Sequence, residues 1–156
     1  MKFYKANKKG SGAAMSFSFN PDPKNGGIFA ELLKQKSWND ANRTGSFDTK
    51  EENKIRIKFS VTEIAEMLYI CLRHRGNAKF FHKTPSSTCQ ISFGTYPLNS
   101  TEPRGIALSA KKGDNSISVP LSFPEATYLG ECFRFFLQRG LAVEQKQQEV
   151  YFANKG

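Results

Sequence analysis

The stretch of sequence that decides the fold is Lys54-Ile55-Arg56-Ile57-Lys58-Phe59-Ser60-Val61-Thr62-Glu63. Its first half alternates between cationic and apolar side chains, the pattern of a β-strand with one exposed face and one buried face. Ser60 is then followed by Glu63 at the spacing of a capping box, which begins an α-helix. The chain is therefore expected to pass at Ser60 directly from a half-buried strand into a helix.

The helix that begins here is predicted to cover residues 61–75. Its apolar residues recur at helical spacing but spread beyond one stripe: Val61, Ile64, Ala65, Met67, Leu68, Tyr69, Ile70, Cys71 and Leu72. A helix that is apolar on more than one side must be buried on more than one side. We therefore expect a second layer against it, and another subunit fits that role. Arg73, His74 and Arg75 suit the negative end of the helix dipole, and Gly76 can supply the cap.

A second strand-to-helix junction follows later in the chain. Ser122 and Glu125 form another capping box, with a proline in the first helical turn. The apolar spacing predicts a helix over residues 123–139, which Gly140 would end, and a polar tail over residues 141–156. Between the two helices, alternating apolar residues predict four strands, at residues 78–84, 88–97, 104–110 and 115–120.

The residues before the first junction are less regular. Alternating apolar residues predict a strand over residues 14–19, and a dense run of turn-forming residues follows at 20–27. Residues 28–38 fit a short helix by propensity and fit a strand equally well by length. The polar residues 39–53 are expected to form a mobile loop.

Composition indicates a polyanionic partner. The chain has 23 Lys and Arg against 14 acidic residues, a formal charge of +9, and 13% of its residues are aromatic. Cations neutralise backbone phosphates and aromatic rings stack on bases, so this combination is typical of proteins that bind single-stranded nucleic acid. Most of the phenylalanines are nevertheless expected in the core.

The cysteines indicate neither a metal site nor a disulfide framework. Cys71, Cys89 and Cys132 are far apart and form no ligand motif with His74 or His82. Their odd number and the lack of a secretory signal predict reduced thiols inside a cell, in cytoplasm, nucleoid or organelle. No apolar run approaches the roughly 20 residues of a membrane span. We expect no metal, no cofactor and no membrane partner.

Motifs for enzymatic chemistry are absent from the sequence. There is no Walker-type phosphate loop, nucleophile elbow, zinc signature or EF-hand. Glu63 and Glu125 are explained as capping-box residues, and His82 is the one candidate base, with no partner that the sequence can name. We therefore predict a protein that is not an enzyme.

Four segments together resemble the Whirly family of single-stranded DNA-binding proteins, whose fold is shared with kinetoplastid mitochondrial RNA-binding proteins. They stand in the family's order and at similar spacing. The segments are Phe3-Tyr4-Lys5 with Gly12-Ala13-Ala14-Met15-Ser16-Phe17, then Phe59-Ser60-Val61-Thr62-Glu63-Ile64, then Lys79-Phe80-Phe81-His82-Lys83, and finally Ser118-Val119-Pro120-Leu121-Ser122-Phe123-Pro124-Glu125-Ala126.

The resemblance implies an α+β fold in which two antiparallel four-stranded sheets pack across each other, with two main helices. It assigns residues 28–38 to a strand and residues 1–140 to the nucleic-acid-binding domain. It also implies a homotetramer that holds single-stranded DNA along sheet edges between subunits, in support of replication, repair or recombination. An RNA-binding or annealing factor, or a transcription co-regulator acting through protein contacts, remains the alternative.

The predicted ligand-binding residues fall into two groups. The cationic group is Lys5, Lys8, Lys9, Lys36, Lys54, Arg56, Lys58, His82 and Lys83. The aromatic group is Phe17, Phe19, Trp38, Phe80 and Tyr96. Phe80 and Phe81 are consecutive in a strand and must point to opposite faces. We favour Phe80 as the ligand-facing ring because it shares a face with His82, although the lysines beside Phe81 leave the reverse assignment open. The charged face of residues 54–58 is either a phosphate track or simply solvated.

Overall fold

Nine strands and two α-helices make up the structure, a computed structural model that describes residues 1–156. The elements in chain order are β1 (Lys2–Lys5), β2 (Ala13–Asn20), β3 (Gly27–Asn39), β4 (Thr44–Phe47), β5 (Ile55–Phe59), α1 (Val61–Arg73), β6 (Asn77–Lys83), β7 (Thr88–Tyr96), β8 (Gly105–Lys112), β9 (Asn115–Ser122) and α2 (Phe123–Lys155). The predicted α+β class, with two antiparallel sheets and two main helices, is confirmed.

The order of elements repeats once along the chain. Strands β1 to β5 form one antiparallel sheet and lead into α1, and strands β6 to β9 form a second and lead into α2. Both predicted capping boxes are present, because the side chains of Ser60 and Ser122 accept from the backbone N–H of Glu63 and Glu125, respectively. Each half of the molecule is thus a sheet whose last strand runs straight into a capped helix.

The first sheet has five strands but four strand positions. β4 pairs with β3 between Asn39 and Gln35, and β5 pairs with the same strand between Leu32 and Ile28. The Lys34 carbonyl accepts from the N–H of Asp48, whereas the N–H of Gln35 donates to the Gly12 carbonyl on the side of β2. Neighbouring residues of a strand direct their backbone groups to opposite edges. β4 and β5 therefore share one edge of β3, as two parts of one interrupted strand.

The core lies between the two sheets and against α2. The ring of Phe133 in α2 lies 5.0 Å from that of Phe17 in β2 and 6.3 Å from that of Phe93 in β7, and all three side chains are buried. Alternate residues of every strand except β4 supply this core, so the residues between them point to the outer side of each sheet. These two outward-facing surfaces carry the groups that could meet a ligand.

α2 extends well beyond its expected end at Gly140. A Cβ at this position would lie 2.9 Å from Val61 Cγ1 and 3.1 Å from Ile28 Cδ1. The glycine therefore permits α2 to approach the beginning of α1 and β3, and it does not end the helix. The helix continues to Lys155, and after Val143 nearly all of its residues are exposed.

Two segments before α1 differ from local expectation. Residues 28–38 are a strand and not a helix, since Ile28, Ala30 and Leu32 alternate into the core with almost no exposed surface. Residues 39–53 were expected to form a loop but include β4 and a short 3-10 turn. At the end of α1, His74 rather than Gly76 takes the left-handed cap conformation, with φ 52°.

Candidate nucleic-acid interface

Each sheet presents one surface of cations and aromatic rings to solvent. The first outer face, on β1 to β5, is defined by Lys2, Tyr4, Phe29, Glu31, Phe47, Arg56 and Lys58. The second outer face, on β6 to β8, is defined by Lys79, Phe81, Lys83, Gln90, Tyr96 and Lys111. Both follow from strand alternation, because their neighbours in each strand fill the core.

On the first outer face, two cations lie over one aromatic ring. The Arg56 guanidinium carbon is 5.1 Å from the centre of the Phe29 ring, and Lys58 Nζ is 5.8 Å from it. The cross-strand register explains this arrangement, since Phe29 pairs with Lys58 and Glu31 pairs with Arg56. The face therefore offers positive charge beside a half-buried aromatic ring.

Lys54, predicted with Arg56 and Lys58 as a phosphate contact, is instead held by carboxylates. Its Nζ lies 2.6 Å from Glu51 and 3.4 Å from Glu31, and its side chain is only 14% exposed. The hydrogen bond from Lys54 to Glu51 raises the pKa of the lysine, and Glu31 adds to the effect. Lys54 is thus paired with two carboxylates and is a poor candidate for a phosphate contact.

A shallow depression occupies the other end of the first outer face. The rings of Tyr4 and Phe47 lie 5.6 Å apart beside it, and its volume is about 350 Å³. Small and aliphatic residues, among them Ala14 and Leu33, line the same depression together with Glu31. The side chains that line the depression therefore include two aromatic rings and one carboxylate.

On the second outer face, Phe81 is the prominent ring. It is 67% exposed and lies in the strand between Lys79 and Lys83, which are also exposed. Gln90 pairs with Phe81, and Lys111 pairs with Gln90 on the next strand. An exposed ring among three lysines suits a base with its flanking phosphates.

Phe17 and Phe80, both predicted to stack on bases, are core residues. Phe17 is 1% exposed, and Phe80 is 8% exposed with its ring 6.2 Å from that of Phe59. The preference for Phe80 over Phe81 is therefore wrong. The lysines beside Phe81 mark the solvent side, and the face shared by Phe80 and His82 points towards the first sheet.

Lys5 and His82 are engaged by the capping boxes. Lys5 Nζ lies 2.5 Å from both carboxylate oxygens of Glu125, and His82 Nε2 lies 2.7 Å from Glu63 Oε1. Burial acts to raise the pKa of Glu125, but hydrogen bonds from Lys5 and from Ser122 outweigh it and hold this pKa below its ordinary value. Both side chains thus serve to join strands to helix N-termini.

Of the remaining predicted residues, Trp38 and Lys8 meet at one carboxylate. Trp38 is half-buried and its Nε1 donates to the Asp40 carboxylate at 3.1 Å, while Lys8 approaches the same carboxylate at 3.4 Å. Lys9 and Lys36 are exposed, as is Tyr96, whereas Phe19 is partly buried against the core. Their contacts with a ligand stay a prediction.

A cleft of about 530 Å³ lies where α1 begins between the two sheets. Lys58 and Lys83 line it from β5 and β6, and Glu63 and Glu144 also line it. Positive charge is thus balanced in the cleft, whereas on the outer faces it predominates.

Sequence reasoning missed several groups of the outer faces: the exposed Tyr4, Lys79, Phe81 and Lys111, and the half-buried Phe29 and Phe47. The alternation of Phe81 with Lys79 and Lys83 carried a usable signal, because lysines mark the solvent face of a strand. The pairing that places Phe29 beneath Arg56 depends on the register between distant strands, which no local pattern contains.

The thiols and acids do not assemble into a reactive or metal-binding group. All three cysteines are free, and burial raises the pKa of the Cys71 thiol to about 12. Burial also raises the pKa of Cys89, with Lys112 opposing it. No group of three or more His, Cys, Asp or Glu side chains is arranged to hold a metal ion. Neither helix carries an apolar stretch suited to crossing a bilayer.

Two antiparallel sheets packed across each other, each followed by a helix, define a Whirly-like fold. A structure with this fold that resembles the chain is the crystal structure of WHY3, a Whirly protein from Arabidopsis thaliana. The two align with a TM-score of 0.60 and 17% sequence identity, over 100% of this chain and 96% of that chain. No family model matches the sequence, and no curated protein matches it. The likeness therefore concerns the fold.

Proposed function

We propose that this protein binds single-stranded DNA, with little sequence selectivity, through phosphate neutralisation and base stacking between subunits. The observation that carries the proposal is the exposure of Phe81 between Lys79 and Lys83. The half-buried Phe29 beside Arg56 and Lys58 adds a second ring among cations. A stacked base contributes roughly 1–3 kcal/mol, and each cation adds a salt-dependent share. Such binding would support replication, repair or recombination.

The proposal also includes a homo-oligomer, with a tetramer as the expected form. Large apolar side chains remain exposed on the helical side of the molecule: Tyr69, Leu72, Tyr128, Phe135 and Leu141. Exposed apolar surface marks interaction sites in soluble proteins. A second subunit that packs on the α1–α2 pair would cover these side chains.

Fluorescence anisotropy with a labelled oligothymidylate tests the binding proposal. We expect saturable binding that weakens steeply with salt, that unlabelled single-stranded DNA competes away, and that duplex DNA of the same length competes poorly. Stronger competition by oligouridylate than by oligothymidylate would assign the site to RNA. Equal competition by duplex would mean that the cations act without base stacking and would contradict the proposed mechanism.

A further inference from the structure

The depression beside Tyr4 and Phe47 has the size and walls of a site for one nucleobase. Its volume of about 350 Å³ lies at the lower end of small-ligand pockets. The two rings are tilted by 40° to each other, and Tyr4 is 60% exposed, so its ring is accessible to a planar ligand. Ala14 and Leu33 are paired across β2 and β3 and give the site an apolar floor.

Glu31 makes this site chemically unlike the rest of the surface. It lines the same depression and lies two residues from Leu33 along β3, about 7 Å away, which a base stacked on the rings can span. Its Oε2 lies 3.4 Å from Lys54 Nζ, and its Oε1 is in no hydrogen bond or ion pair with the protein. A carboxylate repels phosphate, so this position suits the hydrogen-bond donors of a base edge.

Guanine is the base whose edge matches a carboxylate. Its Watson–Crick edge presents N1–H and the N2 amino group side by side, so both oxygens of a carboxylate can accept from it. Adenine and cytosine place one amino donor next to a ring-nitrogen acceptor, and thymine places one N–H between two carbonyl oxygens, so each would set a lone pair against the carboxylate. Lys2, which also lines the depression, can donate to guanine O6.

We propose that the depression is a guanine-selective subsite, in which a base stacks on Tyr4 and Phe47 and donates two hydrogen bonds to Glu31. The inference rests on the proposed binding of single-stranded DNA and adds one preferred base to an otherwise unselective surface. Because the other contacts tolerate any base, a bound strand can shift register until a guanine reaches the subsite.

The test compares oligothymidylates that carry one central substitution: guanine, inosine or none. Inosine keeps N1–H and O6 but lacks the N2 amino group, and a single guanine avoids quadruplexes. We expect the guanine strand to bind about tenfold more tightly than the unsubstituted one, with inosine between them, since a bidentate pair discriminates between bases by about this factor or more. Equal affinity for all three strands would overturn the guanine subsite while leaving single-strand binding intact.

The Glu31→Gln variant tests the assigned residue. An amide can accept at one atom only, so the ratio of guanine to thymine affinity, both measured in the same variant, should fall close to one. Glu102→Gln, an exposed acid in the loop between β7 and β8, is the matched control and should keep the wild-type ratio. A preserved ratio in Glu31→Gln would overturn the assignment, whereas failure of the wild-type protein to bind any of the strands would overturn the proposed function itself.

Discussion

Lys5 Nζ contacts both carboxylate oxygens of Glu125, and this ion pair joins the first strand of the chain to the beginning of its last helix. The other half of the molecule contains a corresponding contact, in which His82 of β6 meets Glu63 at the beginning of α1. In each half, the glutamate that closes a capping box also binds a side-chain nitrogen from the first strand of the other half. The two halves are therefore joined through their helix N-termini.

The Lys5–Glu125 pair predicts a pH dependence of stability. The folded-state pKa of Glu125 lies below its ordinary value of 4.5, so its contribution is present above that pH and is lost as the pH falls through the lowered value. Thermal melts between about pH 6 and pH 3 should show a smaller loss of Tm for Glu125→Gln than for the wild type. Parallel curves for the two proteins would mean that the ion pair contributes nothing measurable.

The close approach at Gly140 predicts that Gly140→Ala destabilises the protein. Alanine favours the helix by about 1 kcal/mol, but its Cβ would crowd Val61 and Ile28, and overpacking costs roughly 1–3 kcal/mol. Denaturant melts should give a net loss of about 1 kcal/mol. Gln148→Ala, at an exposed position of the same helix, is the control and should be nearly neutral. A gain in stability from Gly140→Ala would contradict the close packing.

The consecutive rings Phe80 and Phe81 predict two separable phenotypes. Phe81→Ala should weaken binding of oligothymidylate by roughly 1–3 kcal/mol while leaving Tm unchanged. Phe80→Ala should instead destabilise the fold by about 3–5 kcal/mol, because it empties a core position. Anisotropy titrations and thermal melts of both variants distinguish these effects. Unaltered affinity in Phe81→Ala would remove the second outer face from the interface.

The three cations of residues 54–58 should contribute differently to the salt dependence of DNA binding. Arg56→Ala and Lys58→Ala should each lower the slope of log affinity against log salt by about 0.7, the value for one phosphate contact with a single strand. Lys54→Ala should leave this slope almost unchanged, since Glu31 and Glu51 already neutralise the lysine. Titrations at several salt concentrations provide the measurement, and equal slopes for all four proteins would show that this charged face is merely solvated.

The exposed apolar side chains on the helices predict an assembly larger than the 17.5 kDa chain. Light scattering at micromolar concentration should give about four times the chain mass. Replacing Leu72 and Phe135 together by glutamate should dissociate the assembly, because charges on an apolar interface resist burial. Glutamate at exposed Ser116, on the other side of the molecule, is the control and should leave the mass unaltered. A wild-type monomer would refute the proposed oligomer.

Local patterns in the sequence predicted most of the strands and both helix N-termini, but not β1 or β4 and not the contacts between elements. The alternation in residues 54–59 and the serine–glutamate pairs at 60–63 and 122–125 were sufficient to locate β5 and both helix N-termini. Gly140 was misassigned because a glycine that ends a helix and one that permits close packing look the same in sequence. The difference lies in Val61 and Ile28, which are distant in the chain.

The candidate site was harder to predict than the fold for the same reason. Strand alternation places Phe80 and Phe81 on opposite faces of β6, but it does not say which face the other sheet covers. That packing buries Phe80 and leaves Phe81 exposed. Likewise, the cationic face of β5 was recognised, yet the pairing of Lys54 with Glu31 and Glu51 depends on cross-strand register and on a short turn. Residues whose environment follows from one strand were placed correctly. Residues whose environment depends on the pairing or packing of two elements were not.

The length of α2 has a practical consequence for labelling. Between Glu144 and Lys155 the helix runs about 18 Å at 1.5 Å per residue, nearly all of it exposed. A fluorophore attached near Lys155 would therefore sit at the end of an exposed helix, on an element that belongs to neither sheet. Energy transfer between such dyes on different copies could follow assembly and disassembly in solution while leaving the surfaces that carry Phe29 and Phe81 unmodified.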